Sequence, residues 1–191
     1  MIDEKEIVRR RDMRDVLTFT IDPADAKDFD APLSFVLQED GNYQVGVHIA
    51  DVSYYVRPGS DIDEQAYKKG TSIYLVDRVI PMLPEELCND LCSLRPNEDK
   101  LCMSVIFTIT PNAEILKYKI CRTVIRSNYR LNYDEAQEIL DGSEAFPSEL
   151  TCSILTLNAI ARVMRQERIA AGALTLEQED PRFRLDNHGF P

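Results

Sequence analysis

The sequence predicts a mixed α/β domain, α+β in kind, with a mainly antiparallel sheet flanked by helices. Three observations predict it. Short runs of β-branched and aromatic residues are joined by Gly, Pro, Asn and Asp, so neighbouring strands should pair antiparallel. A later stretch, 148–171, repeats its apolar residues at the helical period instead. Strands and helices are interleaved within 191 residues, a length that fits one domain.

Residues 1–15 are charge-rich and read as a solvated lead-in to a domain over 16–191. Residues 18–21 alternate as a strand that stops at Asp22-Pro23, because proline lacks the ladder donor. Residues 22–32, DPADAKDFDAP, have the composition of a loop. LSFVLQ and YQVGVHIADVSYYV follow as two strands around the hairpin signal Glu39-Asp40-Gly41-Asn42, with Asp51 capping a turn. Residues 61–69 suit a short helix ending at Gly70, and 72–76 a short strand. Pro84-Glu85-Glu86 opens another helix, with proline in the first turn and acids facing the dipole. Residues 101–110 and 114–127 form two long strands around Pro111-Asn112-Ala113. Asn132 or Asp134 caps the helix that ends at Leu140. The longest helix, 148–171, has Gly172 at C′ and an apolar stripe of Leu150, Ile154, Leu157, Ile160, Ala161 and Met164. Two weak strands, 174–176 and 183–185, close the sequence. The final Gly189-Phe190-Pro191 has turn composition, as though the domain continued.

Twenty-two basic and 33 acidic residues give a net charge of −11, which argues against a simple basic nucleic-acid coat protein. A content of 44% hydrophobic and 29% charged residues excludes disorder, collagen and coiled coil. No apolar run approaches the ~18–20 residues of a membrane span, so no membrane partner is expected. Five cysteines without an export signal read as reduced thiols of a cytoplasmic protein. Cys88 and Cys92 would need two further zinc ligands, and His48 and His188 lie far apart, so the cysteines read as small apolar residues. His48 is expected to be structural.

The acidic loop is the most informative stretch. Asp22, Asp25, Asp28 and Asp30 fall within nine residues, directly after a strand. Carboxylates held together repel unless a cation neutralises them, and magnesium suits one or two carboxylates plus water and phosphate oxygens. A solvated acidic turn is the competing reading. An EF-hand is excluded: counted from Asp22, Lys27 stands at the glycine position, and counted from Asp28, Leu33 does.

IDPADAKDFD, then HIADVSYYV, then TSIYLVDRVIPMLPEELCNDLCSLRPNEDK and RSNYRLNYDEAQEIL together resemble the catalytic (RNB) domain of the ribonuclease R and ribonuclease II family, specifically its N-terminal half. The resemblance implies a magnesium-dependent hydrolase, with manganese as a substitute, that removes nucleoside monophosphates from the 3′ end of single-stranded RNA. It implies that Asp22, Asp28 and Asp30 are catalytic metal ligands, with Asp30 the most critical. The family's fourth aspartate should follow Asp30, where this sequence has Ala31-Pro32. Ala31 offers no side-chain oxygen, so metal affinity and turnover should be impaired, as they should be by truncation of the domain, and a non-catalytic single-stranded RNA-binding module is the alternative. Tyr74 falls on the aromatic that stacks against the 3′-terminal base, and Phe183 lies near a second. The family's domain is about twice this long and carries flanking RNA-binding domains. The missing half is therefore an expected partner, and apolar surface meant for it is expected to promote self-association.

One further feature is independent of the resemblance. KYKICRTVIRSNYR interleaves five cations with two tyrosines, the composition of a single-strand RNA track, and equally of an exposed strand kept soluble by charge. On one continuous strand Arg122, Arg126 and Arg130 would share a face as a positive RNA-binding stripe.

Overall fold

The computed structural model describes residues 2–26, 28–29 and 31–175. Its elements are α1 (Glu4–Val8), β1 (Arg11–Asp12), β2 (Thr18–Asp22), β3 (Leu33–Leu37), β4 (Tyr43–Ala50), α2 (Val52–Tyr55), α3 (Asp61–Lys69), β5 (Ile73–Tyr74), β6 (Val79–Ile80), a π-helical turn (Leu87–Leu91), β7 (Asp99–Ile109), β8 (Ile115–Arg126), β9 (Tyr129–Asn132), α4 (Tyr133–Leu140) and α5 (Ser148–Ala170).

Seven strands form one sheet in the order β1-β8-β7-β4-β3-β2-β9, and β5 and β6 form a separate hairpin. The four inner pairings are antiparallel, and the two outermost, β1 with β8 and β2 with β9, are parallel. This is the mainly antiparallel mixed fold expected. β8 and β9 lie near opposite ends of the order, yet only Ser127 and Asn128 separate them. Three residue steps reach at most ~11 Å, so the sheet curls until its edges approach. Asn128 seals the seam: its amide donates to the Thr18 carbonyl at 2.7 Å, and its side-chain oxygen accepts from the Thr18 amide at 2.9 Å.

Local signals set the helix ends. Asn132, rather than Asp134, caps α4 in a reciprocal capping box with Glu135. Ser60 caps α3, which ends at Gly70 with φ +73°, a value that favours glycine. α4 and α5 cover one face of the sheet through Phe19, Leu131, Ile139, Leu150 and Ile154, continued by Phe35, Val45, Ile109 and Ile160. The opposite face packs Ala50, Cys102, Ile106 and Ile125 against Met13, Leu87 and Leu94.

Several expectations change. The segment before residue 16 is more than a solvated lead-in: β1 joins the sheet beside β8 and Arg10 and Met13 are buried, although α1 buries none of its residues. The cause is a partner 41 positions away: the Arg10 guanidinium donates to the Asp51 carboxylate at 2.7 Å. Asp51 therefore serves Arg10 and the Ser53 hydroxyl instead of capping, and the strand after residue 43 ends at Ala50. The helix opened by Pro84 forms at Glu85 and Glu86 but continues as a π-helical turn over Leu87–Leu91. The 72–76 run narrows to β5 and pairs with β6, which the sequence reading missed. In the tail, Leu174 and Thr175 are irregular, and 183–185 lies outside the described residues.

A polar row crosses the sheet on the Ala50 face. His48 bonds Ser34 through Nε2 at 2.9 Å and Ser104 through Nδ1 at 2.7 Å, and Ser104 meets Thr123 at 2.6 Å. Gly46 leaves room for the ring, since a Cβ there would fall on Ser34 Oγ and the imidazole. Gly46→Ala should destabilise by about 1–3 kcal/mol in urea unfolding, as overpacking does. Burial, helped by the Arg11 charge, pushes His48 down to about 4. A histidine held neutral in the fold leaves stability whole above the unfolded pKa of about 6.5 and removes it as pH falls towards the folded value. Between pH 7 and 4.5 the protein should lose about 2 kcal/mol more than a His48→Gln variant.

Candidate functional site

β2 ends at Asp22, which is half-buried and registered opposite Asn132 of β9. Pro23 stops the strand and the chain turns, the Ala26 amide donating to the Pro23 carbonyl at 3.0 Å. Asp25 and Asp28 are exposed on the loop that follows. The loop returns through Pro32, which is buried and whose carbonyl accepts from the His48 amide at 3.0 Å, and then enters β3. The polar row therefore lies at the root of this loop.

Phe29, between Asp28 and Asp30, is the loop's anchor. It is buried, its amide donates to Ser93 Oγ at 3.2 Å, and its carbonyl accepts from the Leu94 amide at 2.6 Å. The Arg130 guanidinium lies over its ring, 5.0 Å from the centroid. The same guanidinium donates to the carbonyls of Ala24 at 2.7 Å and Pro23 at 3.5 Å. Ser93 and Leu94 lie just beyond the π-helical turn, after its C-cap Cys92, so that turn presents the loop's dock.

The side chains of Asp22 and Asp28 carry hard oxygen donors of the type magnesium takes, and the Ala31 side chain carries none. Asp30 lies outside the described residues. Among the described residues no three His, Cys, Asp or Glu side chains gather into a metal-holding group. The donor chemistry fits a cation held by few carboxylates, with water completing the shell. The cysteines offer no competing centre: all five are unpaired, and burial raises the thiols of Cys92, to about 11, and Cys102.

The structure separates the other expected residues. Tyr74 stands 73% exposed on the β5–β6 hairpin, whose Ile73, Leu75, Val76, Val79 and Ile80 are also exposed. Phe183 lies outside the described residues. Arg122 and Arg126 are on β8, whereas Arg130 is on β9, so the three do not form one stripe along a single strand. The break at Ser127 and Asn128 moves Arg130 to the other edge of the sheet. Arg126 grips Asp99 at 2.6 Å, and Arg122 lies 3.8 Å from Asp51. Sequence reasoning missed the anchoring roles of Phe29, Ser93 and Arg130. Its available signal was an aromatic flanked by carboxylates, which a merely solvated loop has no reason to carry. Ser93→Ala removes a partner of a buried amide and should cost about 1–2 kcal/mol in urea unfolding.

Comparison with known proteins agrees with this architecture. The model of the RNB domain matches residues 10–190. The chain is 44% identical over 181 residues to an exosome complex exonuclease RRP44 homolog A of Arabidopsis thaliana, covering 94% of this chain and 19% of the relative. It is 46% identical over 178 residues to a ribonuclease R of Chlamydia muridarum, covering 93% and 25%. A Mycoplasma genitalium RNase R solved in complex with double-stranded RNA superposes with a TM-score of 0.91 at 30% identity, covering 100% of this chain and 34% of that one. The chain thus spans a fifth to a quarter of the length of these curated relatives.

Proposed function

The chain belongs to the RNB domain family, that of ribonuclease R and ribonuclease II, and from that membership we propose that it is catalytic-domain sequence of a 3′-to-5′ exoribonuclease acting on single-stranded RNA. The observation that carries the proposal is the acidic loop at the end of β2, pinned at Phe29 between its carboxylates. In the proposed reaction a water oxygen bonds to the last internucleotide phosphorus. The bond to the 3′ oxygen of the preceding nucleotide breaks, that oxygen gains a proton, and a nucleoside 5′-monophosphate leaves. Asp22, Asp28 and Asp30 would hold magnesium, or manganese in its place, which when bound supplies water activation and charge stabilisation. Tyr74 offers an exposed ring for stacking on the terminal base, Phe183 is proposed as a second aromatic, and Arg122 and Arg126 contribute positive charge for the phosphates. We place the protein in the cytoplasm. The rest of an RNB domain and flanking RNA-binding domains are its proposed partners. Ile115, Leu116, Tyr118 and Ile120 expose an apolar stretch of β8, and self-association is expected there.

Ala31 favours a second reading, an RNA-binding module that keeps the fold without turnover, since a binder needs no fourth ligand. Incubating the chain with internally labelled poly(A) and magnesium separates the two. The 191 residues should release mononucleotides near background, and Ala31→Asp, made in a longer chain that carries the rest of the domain, should raise release at least tenfold over the same chain with Ala31. Robust release by the parent would sink the assigned role of Ala31. Salt-dependent RNA binding with no gain on Ala31→Asp would support the binding module. Tyr74→Ala should weaken single-stranded RNA binding about tenfold while leaving unfolding within about 0.5 kcal/mol, because the ring is exposed.

A further inference from the structure

We propose that Arg130 is a positioning residue: a strut across the acidic loop that sets where its carboxylates stand, rather than a contact for the RNA backbone. The inference deepens the metal reading above and rests on it only for what the loop holds. Its basis is geometric. One guanidinium touches both limbs of the loop. On the outgoing limb it donates to Ala24 at 2.7 Å and to Pro23 at 3.5 Å. On the returning limb it lies over the Phe29 ring, 5.0 Å from the centroid. Asp25 and Asp28 lie between these two attachments in the chain, and Asp30 follows directly on the second.

The sheet topology delivers Arg130 to this place. β9 pairs with β2 in parallel, with Thr20 opposite Arg130 and Asp22 opposite Asn132, so both strands run towards the same end, where the loop begins. A guanidinium suits the task because it combines a forked set of donors with a flat face for an aromatic ring. Lysine keeps the charge but has neither the fork nor the plane. Ser93 and Leu94 hold the backbone of Phe29, leaving its ring face to Arg130. The loop is thereby fixed from two sides by elements far apart in sequence. The bonds to backbone carbonyls also commit the guanidinium, which an incoming phosphate would have to detach.

The test compares the parent chain with Arg130→Gln and Arg130→Lys by amide hydrogen exchange in metal-free buffer. Exchange at the Phe29 amide should rise at least tenfold in Arg130→Gln and nearly as much in Arg130→Lys, with the β4 and β7 amides unchanged. The unchanged strand amides show that the variants fold. Unaltered exchange at Phe29 in both variants would overturn the proposal. Single-stranded RNA retention in EDTA supplies the second readout. The strut predicts no more than a twofold change for either variant. A fall of tenfold or more in Arg130→Gln, with the loop amides protected, would make Arg130 an RNA contact instead. Manganese titration provides the third: affinity should weaken at least threefold in both variants. If the parent takes up no manganese, the metal reading fails, and the Phe29 exchange decides the strut by itself.

Discussion

The curl of the sheet is the constraint on which the rest depends. Ser127 and Asn128 are too few residues to cross an open seven-stranded sheet, so β8 can pass into β9 only if the edges approach. That crossing brings β9 beside β2 in parallel. It also places α4, which begins directly after β9, over Phe19 and Leu131. Both strands end where the acidic loop begins, so closure of the sheet and construction of the candidate site are one event. The Asn128–Thr18 bonds satisfy backbone groups that an open seam would leave exposed.

The other edge is held by charge. Arg10 and Asp51 are both buried, and their bond ties the N-terminal segment to the end of β4. Burial alone would raise the pKa of Asp51. The hydrogen bonds from Ser53 and Arg10, with the charges of Arg10 and Arg122, outweigh burial and hold the carboxyl below its usual range. Arg10 also bonds Glu6 and the Cys102 carbonyl and lies over the Tyr54 ring, so its donors are used on several sides. A buried pair of this kind stabilises little relative to apolar packing, but its loss from one side strands a charge. Its clearest effect is on placement: it turns a charge-rich segment into part of the structure.

The strands around the Asp40-Gly41 hairpin, the two long strands 101–110 and 114–127, and the longest helix were legible from period and turn chemistry. The capped start of α4 was legible as well, since Asn132 and Glu135 stand at capping-box spacing. Other features depended on distant partners. Residues 52–55 have strand-forming side chains, yet they follow Asp51, which is committed to Arg10, and they coil into α2. The burial of Arg10 was invisible because a basic run reads as solvent-exposed until its acid is found. The shared stripe of Arg122, Arg126 and Arg130 failed for a related reason: strand periodicity carries no information about which sheet edge a strand joins.

For the candidate site, the spacing of Asp22, Asp28 and Asp30, the missing side-chain oxygen at Ala31 and the aromatic at Tyr74 are properties of the sequence alone. They specify donor chemistry, because carboxylates and rings keep their character wherever the chain places them. Position is another matter. That Phe29 is clasped by Ser93, Leu94 and Arg130, 64 to 101 residues further along, was decided by the closing of the sheet and by the turn that docks beneath it. Local patterns encode what each residue can do, and long-range packing fixes which of them meet.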